Sequence, residues 1–162
     1  MPNDAELPAG PNAALDVAEA EDSPAGPQVS VLEDDPTLAA LAADLCHGLG
    51  VSAAIYTSPA PCLEAARLAP PRVLVLDWRL EGQLGAATFM AVRHRYPRLP
   101  VVCWTASPAW HLPQMIRQDP MSRVVDKAAG AGGFEDALRW ALAFDETTSE
   151  GAGDERPVSN PA

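Results

Sequence analysis

The stretch RVLVLDW, Arg72–Trp78, decides the fold. Its middle, Val73–Leu76, is four consecutive branched apolar residues, the composition of a strand covered on both faces. A strand of that kind belongs to a parallel sheet with helices above and below. The acid that closes the run, Asp77, falls just past the carboxyl end of the strand.

Reading outward from this stretch, strands and helices alternate between residues 29 and 144. Val29–Leu32 is a short apolar run ending in acids. Leu38, Leu41, Ala42, Leu45 and Leu49 then recur at helical spacing. Val51–Tyr56 is a weaker strand candidate, and Pro61–Leu68 a short alanine-rich helix. Beyond Asp77, Ala86–Tyr96 reads as a helix with Phe89, Val92 and Tyr96 on one side, ended by Pro97. Val101–Trp104 is an apolar strand, Trp110–Gln118 a helix with Pro113 in its first turn, and Val124–Val125 a shorter strand. In the last helix Phe134, Ala137, Leu138, Ala141 and Leu142 form one apolar stripe. This alternation predicts right-handed βαβ units: an α/β protein built on a doubly wound five-stranded parallel sheet with helices on both faces, (βα)5. In such a sheet, chemistry sits outside the carboxyl ends of the strands, where the strand order reverses.

The residues just past those ends are informative. The first strand runs into Glu33, Asp34 and Asp35, the third into Asp77, the fourth into Thr105 and the fifth into Lys127. Carboxylates packed together repel one another unless a cation sits among them. A hard divalent ion answers that need, and Mg2+ typically uses one or two carboxylates plus water and phosphate oxygens. The remaining positions suit a phosphoryl group, with Thr105 as hydrogen-bond donor and Lys127 as a point positive charge. Lys127 is the one lysine in the chain, the ten other basic residues being arginine. A lysine in that setting fits a site that needs a compact ammonium rather than a planar fork. Asp35-Pro36 is a ready helix start, with Asp as N-cap and Pro at the first helical position. Metal binding therefore falls to Asp34, with Glu33 in support.

The formal net charge is -11 over 162 residues, and it is uneven. Residues 1–28 carry six acids and no base, residues 145–162 five acids and one base, which leaves the middle close to neutral. The domain organisation expected is a disordered acidic Pro/Ala-rich segment at 1–28, a folded domain at 29–144 and a disordered acidic tail at 145–162. No basic stripe offers itself to nucleic acid. There is no signal sequence and no long apolar run, so neither DNA binding nor a membrane is expected, and a cytoplasmic location is. Cys46, Cys62 and Cys103 lie in apolar contexts without ligand spacing to His47, His94 or His111, and read as buried thiols.

Four pieces in order, VSVLEDDP, RVLVLDWRLEGQLG, LPVVCWTAS and RVVDKA, resemble the receiver domain of bacterial two-component response regulators, over about residues 29–144. The resemblance implies a flavodoxin-like, CheY-like fold and a phosphoacceptor role for Asp77. It implies Mg2+ held by Asp34, Asp77 and the backbone carbonyl of Arg79, with Glu33 acting through water. It implies that Thr105 and Lys127 grip the phosphoryl oxygens, and that Arg79 and Ser107 flank the group and tune its lifetime. Three positions depart from the family pattern: Glu81 and Ala128 stand where proline is usual, and Val124 where an aromatic switch residue is usual. The function implied is a single-domain response regulator of a phosphorelay, not an enzyme. Its partners would be a sensor histidine kinase or histidine phosphotransfer protein and a downstream protein target. The contact face would be the fourth and fifth helices with the strand between, Trp110 and Trp140 included. The alternative is a receiver-like interaction module that is never phosphorylated. A haloacid-dehalogenase-type phosphatase would need a second Asp two residues after Asp77, where Arg79 stands.

Overall fold

The computed structural model describes residues 26–80 and 83–148. The expectations for the two acidic tails lie largely outside that range, and so does Glu81. The central sheet holds β1 (Val29–Leu32), β2 (Ala53–Tyr56), β3 (Val73–Leu76), β4 (Val101–Thr105) and β5 (Ser122–Asp126). The helices are α1 (Pro36–Gly48), α2 (Pro59–Leu68), α3 (Gly85–Arg95), α4 (Gln114–Arg117) and α5 (Gly130–Thr148). The strand order is β2-β1-β3-β4-β5 and every pairing is parallel. The chain first winds outward from β1 to β2, then crosses back over β1 to β3 and continues the other way. The order therefore reverses between β1 and β3, which places Glu33–Asp35 and Asp77 side by side. A two-residue antiparallel ladder, Arg79–Leu80 with Gln83–Leu84, follows β3.

Alternation along β3 separates the core into two layers. Val73 and Val75 point to the layer with Val29, Val31, Phe134, Leu138 and Ala141, under α1 and α5. Leu74 and Leu76 point to the layer with Phe89, Val92, Leu112 and Ile116, under α3 and α4. Successive side chains of a strand face opposite ways, so an unbroken apolar run is what a sheet with both faces covered requires. Each fully buried Val or Leu contributes about 1.5–3 kcal/mol from removal of its side chain from water.

Local chemistry sets the helix starts. The Asp35 carboxylate accepts from the backbone N–H groups of Thr37 (2.8 Å) and Leu38 (3.0 Å), with Pro36 in the first turn, as the sequence leads one to expect. The segment after β4 departs from expectation. Instead of one helix over Trp110–Gln118 there is a 3-10 turn at Ala109–His111, then extended backbone at Leu112 and Pro113, then α4. A residue before proline is pushed out of the α region by the pyrrolidine ring, so Leu112 breaks the helix and Pro113 caps its short remainder. Trp110 consequently lies outside α4, 71% exposed and edge-on to the His111 ring. Trp140 is half-buried on α5 beneath the Arg123 guanidinium, 4.5 Å from its ring centroid.

The pole opposite the site is tied by Arg93. Its guanidinium donates to the carbonyls of Tyr96, Pro97 and Leu99, and pairs with Asp119 at 2.7 Å. It also donates to the Ser122 hydroxyl, so the end of α3 is joined to the entry of β5.

Candidate functional site

Three carboxylates meet at the carboxyl edge of the sheet. Glu33 and Asp34 follow β1, Asp77 follows β3, and one ligand atom from each lies within 4.8 Å of the others. The strand register brings them together: Leu32 pairs with Leu76, and the Asp77 N–H donates to the Leu32 carbonyl at 3.0 Å. Glu33 and Asp77 are buried, while Asp34 is half-buried.

Lys127 enters from the end of β5. Its ammonium donates to Glu33 Oε2 at 2.6 Å and lies 3.3 Å from Asp77 Oδ2. The other Glu33 oxygen accepts from the Asp35 N–H at 3.1 Å. Burial pushes the Glu33 carboxyl above its ordinary range, against the pull of the Lys127 hydrogen bond. Both oxygens of Glu33 are thus occupied by protein donors, which suits a group that supports the site from behind.

Asp77 Oδ1 accepts from the Arg79 N–H at 3.1 Å, and the Arg79 side chain is exposed. Thr105 ends β4, fully buried, in register with Asp126, and its hydroxyl accepts from the Ser107 N–H at 3.0 Å. Gly85 stands where α3 begins, beside the acid. Its N–H donates to the Trp78 carbonyl at 2.9 Å, and a Cβ there would lie 2.9 Å from the Asp77 carbonyl oxygen. Only a residue without a side chain lets α3 approach that closely. After Lys127 the chain enters a 3-10 turn, Lys127–Ala129, which Asp126 caps by accepting from the Ala128 N–H at 2.8 Å. No described peptide bond is cis, that between Lys127 and Ala128 included.

The structure therefore brings Glu33, Asp34, Asp77 and Lys127 into one cluster and sets Thr105 at the neighbouring strand end. Sequence reasoning did not reveal that Glu33 is the nearer partner of Lys127, nor that the ammonium rests 5.3 Å from the centroid of the Trp104 ring. The place of Trp104, one residue before Thr105, was the available signal. Among the described residues, three carboxylates and one ammonium share this largely buried pocket. That donor set, all oxygen and mostly carboxylate, fits a hard divalent cation.

A doubly wound sheet with an acid cluster and a lysine at its switch point defines the class. The solved structures that resemble the chain narrow it. The signal receiver domain of an HD domain-containing protein from Pseudomonas fluorescens Pf-5 superposes with a TM-score of 0.68, at 15% identity, over 78% of this chain and 93% of that one. The N-terminal domain of a response regulator/sensory box/GGDEF protein from Carboxydothermus hydrogenoformans gives 0.64 at 23% identity, over 75% and 98%. The Francisella response regulator 1452 receiver domain gives 0.64 at 16%, over 74% and 99%. In sequence, the DNA-binding transcriptional regulator NtrC of Escherichia coli K12 is 32% identical over 78 residues, 48% of this chain and 17% of that protein. The chain thus aligns with under a fifth of that relative's length. No family model matches the chain. The chain has the receiver-domain fold of response regulators. Among the described residues no helix is long and apolar enough to cross a membrane.

Proposed function

We propose that Asp77 accepts a phosphoryl group from a phosphohistidine on a sensor kinase or phosphotransfer protein, and that the chain signals to a downstream protein through that state. The observation that carries the reading is the contact of Lys127 with both Glu33 and Asp77, at 2.6 and 3.3 Å, inside an acid cluster built from two adjacent strand ends. A structural ion pair needs one carboxylate; here the ammonium meets two, and a third stands within 4.8 Å of them.

In the step proposed, an Asp77 carboxylate oxygen forms a bond to phosphorus as the P–N bond breaks. The electron pair leaves with the partner's imidazole, which takes a proton from solvent. Asp34, Asp77 and the Arg79 carbonyl would hold Mg2+, with Glu33 behind them. When bound, Mg2+ supplies positive charge to the phosphoryl oxygens. Lys127 exchanges its contact with Asp77 for one with a phosphoryl oxygen, and Thr105 turns its hydroxyl toward another. The Arg79 side chain, exposed two residues after the acceptor, sets access of water to the acyl phosphate and so its lifetime. An acyl phosphate stores enough free energy to bias a conformational equilibrium.

The test is incubation with acetyl phosphate and Mg2+ followed by intact mass. The expected product gains about 80 Da, the mass of one phosphoryl group, and Asp77→Asn abolishes the gain. If neither acetyl phosphate nor a cognate kinase gives the adduct, the chain is an interaction module that never carries phosphate.

A further inference from the structure

We propose that Trp104 is a positioning residue for Lys127, seating its ammonium against the acid cluster and passing its position on to α5 through Phe134. The proposal rests on the phosphoacceptor reading above for its consequence, but not for the contact itself.

An ammonium has three donors and no acceptor. Lys127 directs its charge at Glu33 (2.6 Å) and Asp77 (3.3 Å), and on another side meets the face of the Trp104 indole, 5.3 Å from ammonium nitrogen to ring centroid. Trp104 is only 3% exposed, so water does little to weaken this contact. A cation over a tryptophan face is the strongest pairing of its kind, and desolvation strengthens it further.

The identity of the residue carries information. The Trp104 Nε1 is buried and has no hydrogen-bond partner. A buried donor left without a partner is costly, and phenylalanine in the same place would fill the core without that cost. What tryptophan offers in exchange is the more electron-rich face, and the group resting on that face is the ammonium of Lys127. The opposite reading, that Trp104 is simply core, leaves its orphaned N–H unexplained.

The ring is also a link. It packs edge-on against Phe134 with centroids 5.0 Å apart and planes at 63°. Phe134 is fully buried near the start of α5. The aromatic switch residue that the family resemblance leads one to expect at position 124 is valine, half-buried against the layer of Leu112 and Ile116 on the other face of the sheet. Among the described residues, an aromatic path from the site to a helix therefore runs from Lys127 through Trp104 to Phe134. If Lys127 shifts from Asp77 to a phosphoryl oxygen, the ammonium changes its place on the indole face, and Phe134 is next in contact.

Because Lys127 is the one lysine, labelling with lysine carrying 13C at Cε alone yields signals from a single CεH2 group. Protons held over an indole face are shielded. In the full chain the Lys127 Hε resonance should lie upfield of its position in the urea-unfolded chain. It should move most of the way back in Trp104→Leu and part of the way in Trp104→Phe. Leu138→Ala, in the same core layer, controls for general destabilisation and should leave the signal in place. On adding Mg2+ and beryllofluoride, the Lys127 signal and the Phe134 ring signals should move together in the wild type. In Trp104→Leu the Phe134 response should be lost, and phosphoryl uptake from acetyl phosphate should fall roughly thirtyfold, the scale of a desolvated cation–π contact. A Lys127 signal unmoved by Trp104→Leu or Trp104→Phe overturns the proposal, whether or not Asp77 is phosphorylated. A displaced Lys127 signal with no adduct in the wild type instead overturns the phosphoacceptor reading and leaves the contact standing.

Discussion

Replacing Lys127 by methionine keeps the length of the side chain and its packing on Trp104 but deletes the charge. Glu33, 1% exposed, then faces Asp77 with no counter-charge between them. Removing one partner of a buried ion pair costs about 3–5 kcal/mol, because the remaining charge stays in a low dielectric. Protonation limits that cost: a carboxyl that takes up a proton no longer needs its partner. Burial already raises the Glu33 pKa above 4.5, and the Lys127 hydrogen bond, the Asp35 N–H and the Lys127 charge oppose that rise. Without Lys127 it rises further. A folded-state pKa raised above the unfolded value means the native protein binds more protons, so stability falls as pH rises from the unfolded value through the folded one. Near pH 4.5 wild type and Lys127→Met should therefore differ little. The gap should open with pH, by about 1.4 kcal/mol per unit while Glu33 titrates, and reach roughly 3 kcal/mol by pH 8. Urea unfolding in EDTA at a series of pH values measures it, provided the m-value is unchanged. Mg2+ should narrow the gap at high pH. In the variant it would bring back the positive charge that Glu33 and Asp77 have lost, whereas in the wild type Lys127 already supplies it, and a ligand stabilises more the protein it binds more tightly. A loss equal at both ends of the range, or none at pH 8, would refute the account of Lys127 as the counter-charge of a buried carboxylate.

Arg93→Ala should destabilise by about 3 kcal/mol, since it takes the counter-charge from Asp119, which keeps only the Met121 N–H and the Ser122 hydroxyl, and removes a donor from three loop carbonyls; urea titration measures this, with phosphoryl uptake unchanged once the protein is folded. Gly85→Ala should cost about 1–3 kcal/mol by forcing α3 away from the Asp77 carbonyl, 2.9 Å from the added Cβ; the Mg2+ response of Trp78 fluorescence should weaken with it. Burial pushes the thiol of Cys103 up to about 12, and those of Cys46 and Cys62 up to about 11. Since the thiolate is the reactive form, all three should resist a thiol reagent at pH 8 until urea unfolds the chain; rapid native labelling of any one would show its site to be open.

The alternation of apolar runs with helical stripes was enough to establish a parallel doubly wound sheet, because covering both faces of a strand leaves a continuous apolar signature such as Val73–Leu76. The same alternation placed Asp77, Thr105 and Lys127 at strand ends, since the chain must leave the core where the apolar run stops. The Asp35 cap was legible for the same local reason. The segment after β4 was not. Its apolar spacing suggests a helix, and only the steric demand of Pro113 on Leu112 splits it into a 3-10 turn and a four-residue helix.

What sequence alone determined about this protein is which residues stand at the carboxyl edge, because that follows from backbone periodicity within each element. Which of them touch was decided by the tertiary structure. The register of β1 against β3 sets Glu33 beside Asp77, and the exit of β5 brings Lys127 94 residues along the chain to Glu33 rather than to Asp34. The indole face beneath the ammonium is likewise a product of sheet twist and packing. Distances between side chains on different strands depend on register and layer geometry, and neither is encoded in the spacing of residues within one strand.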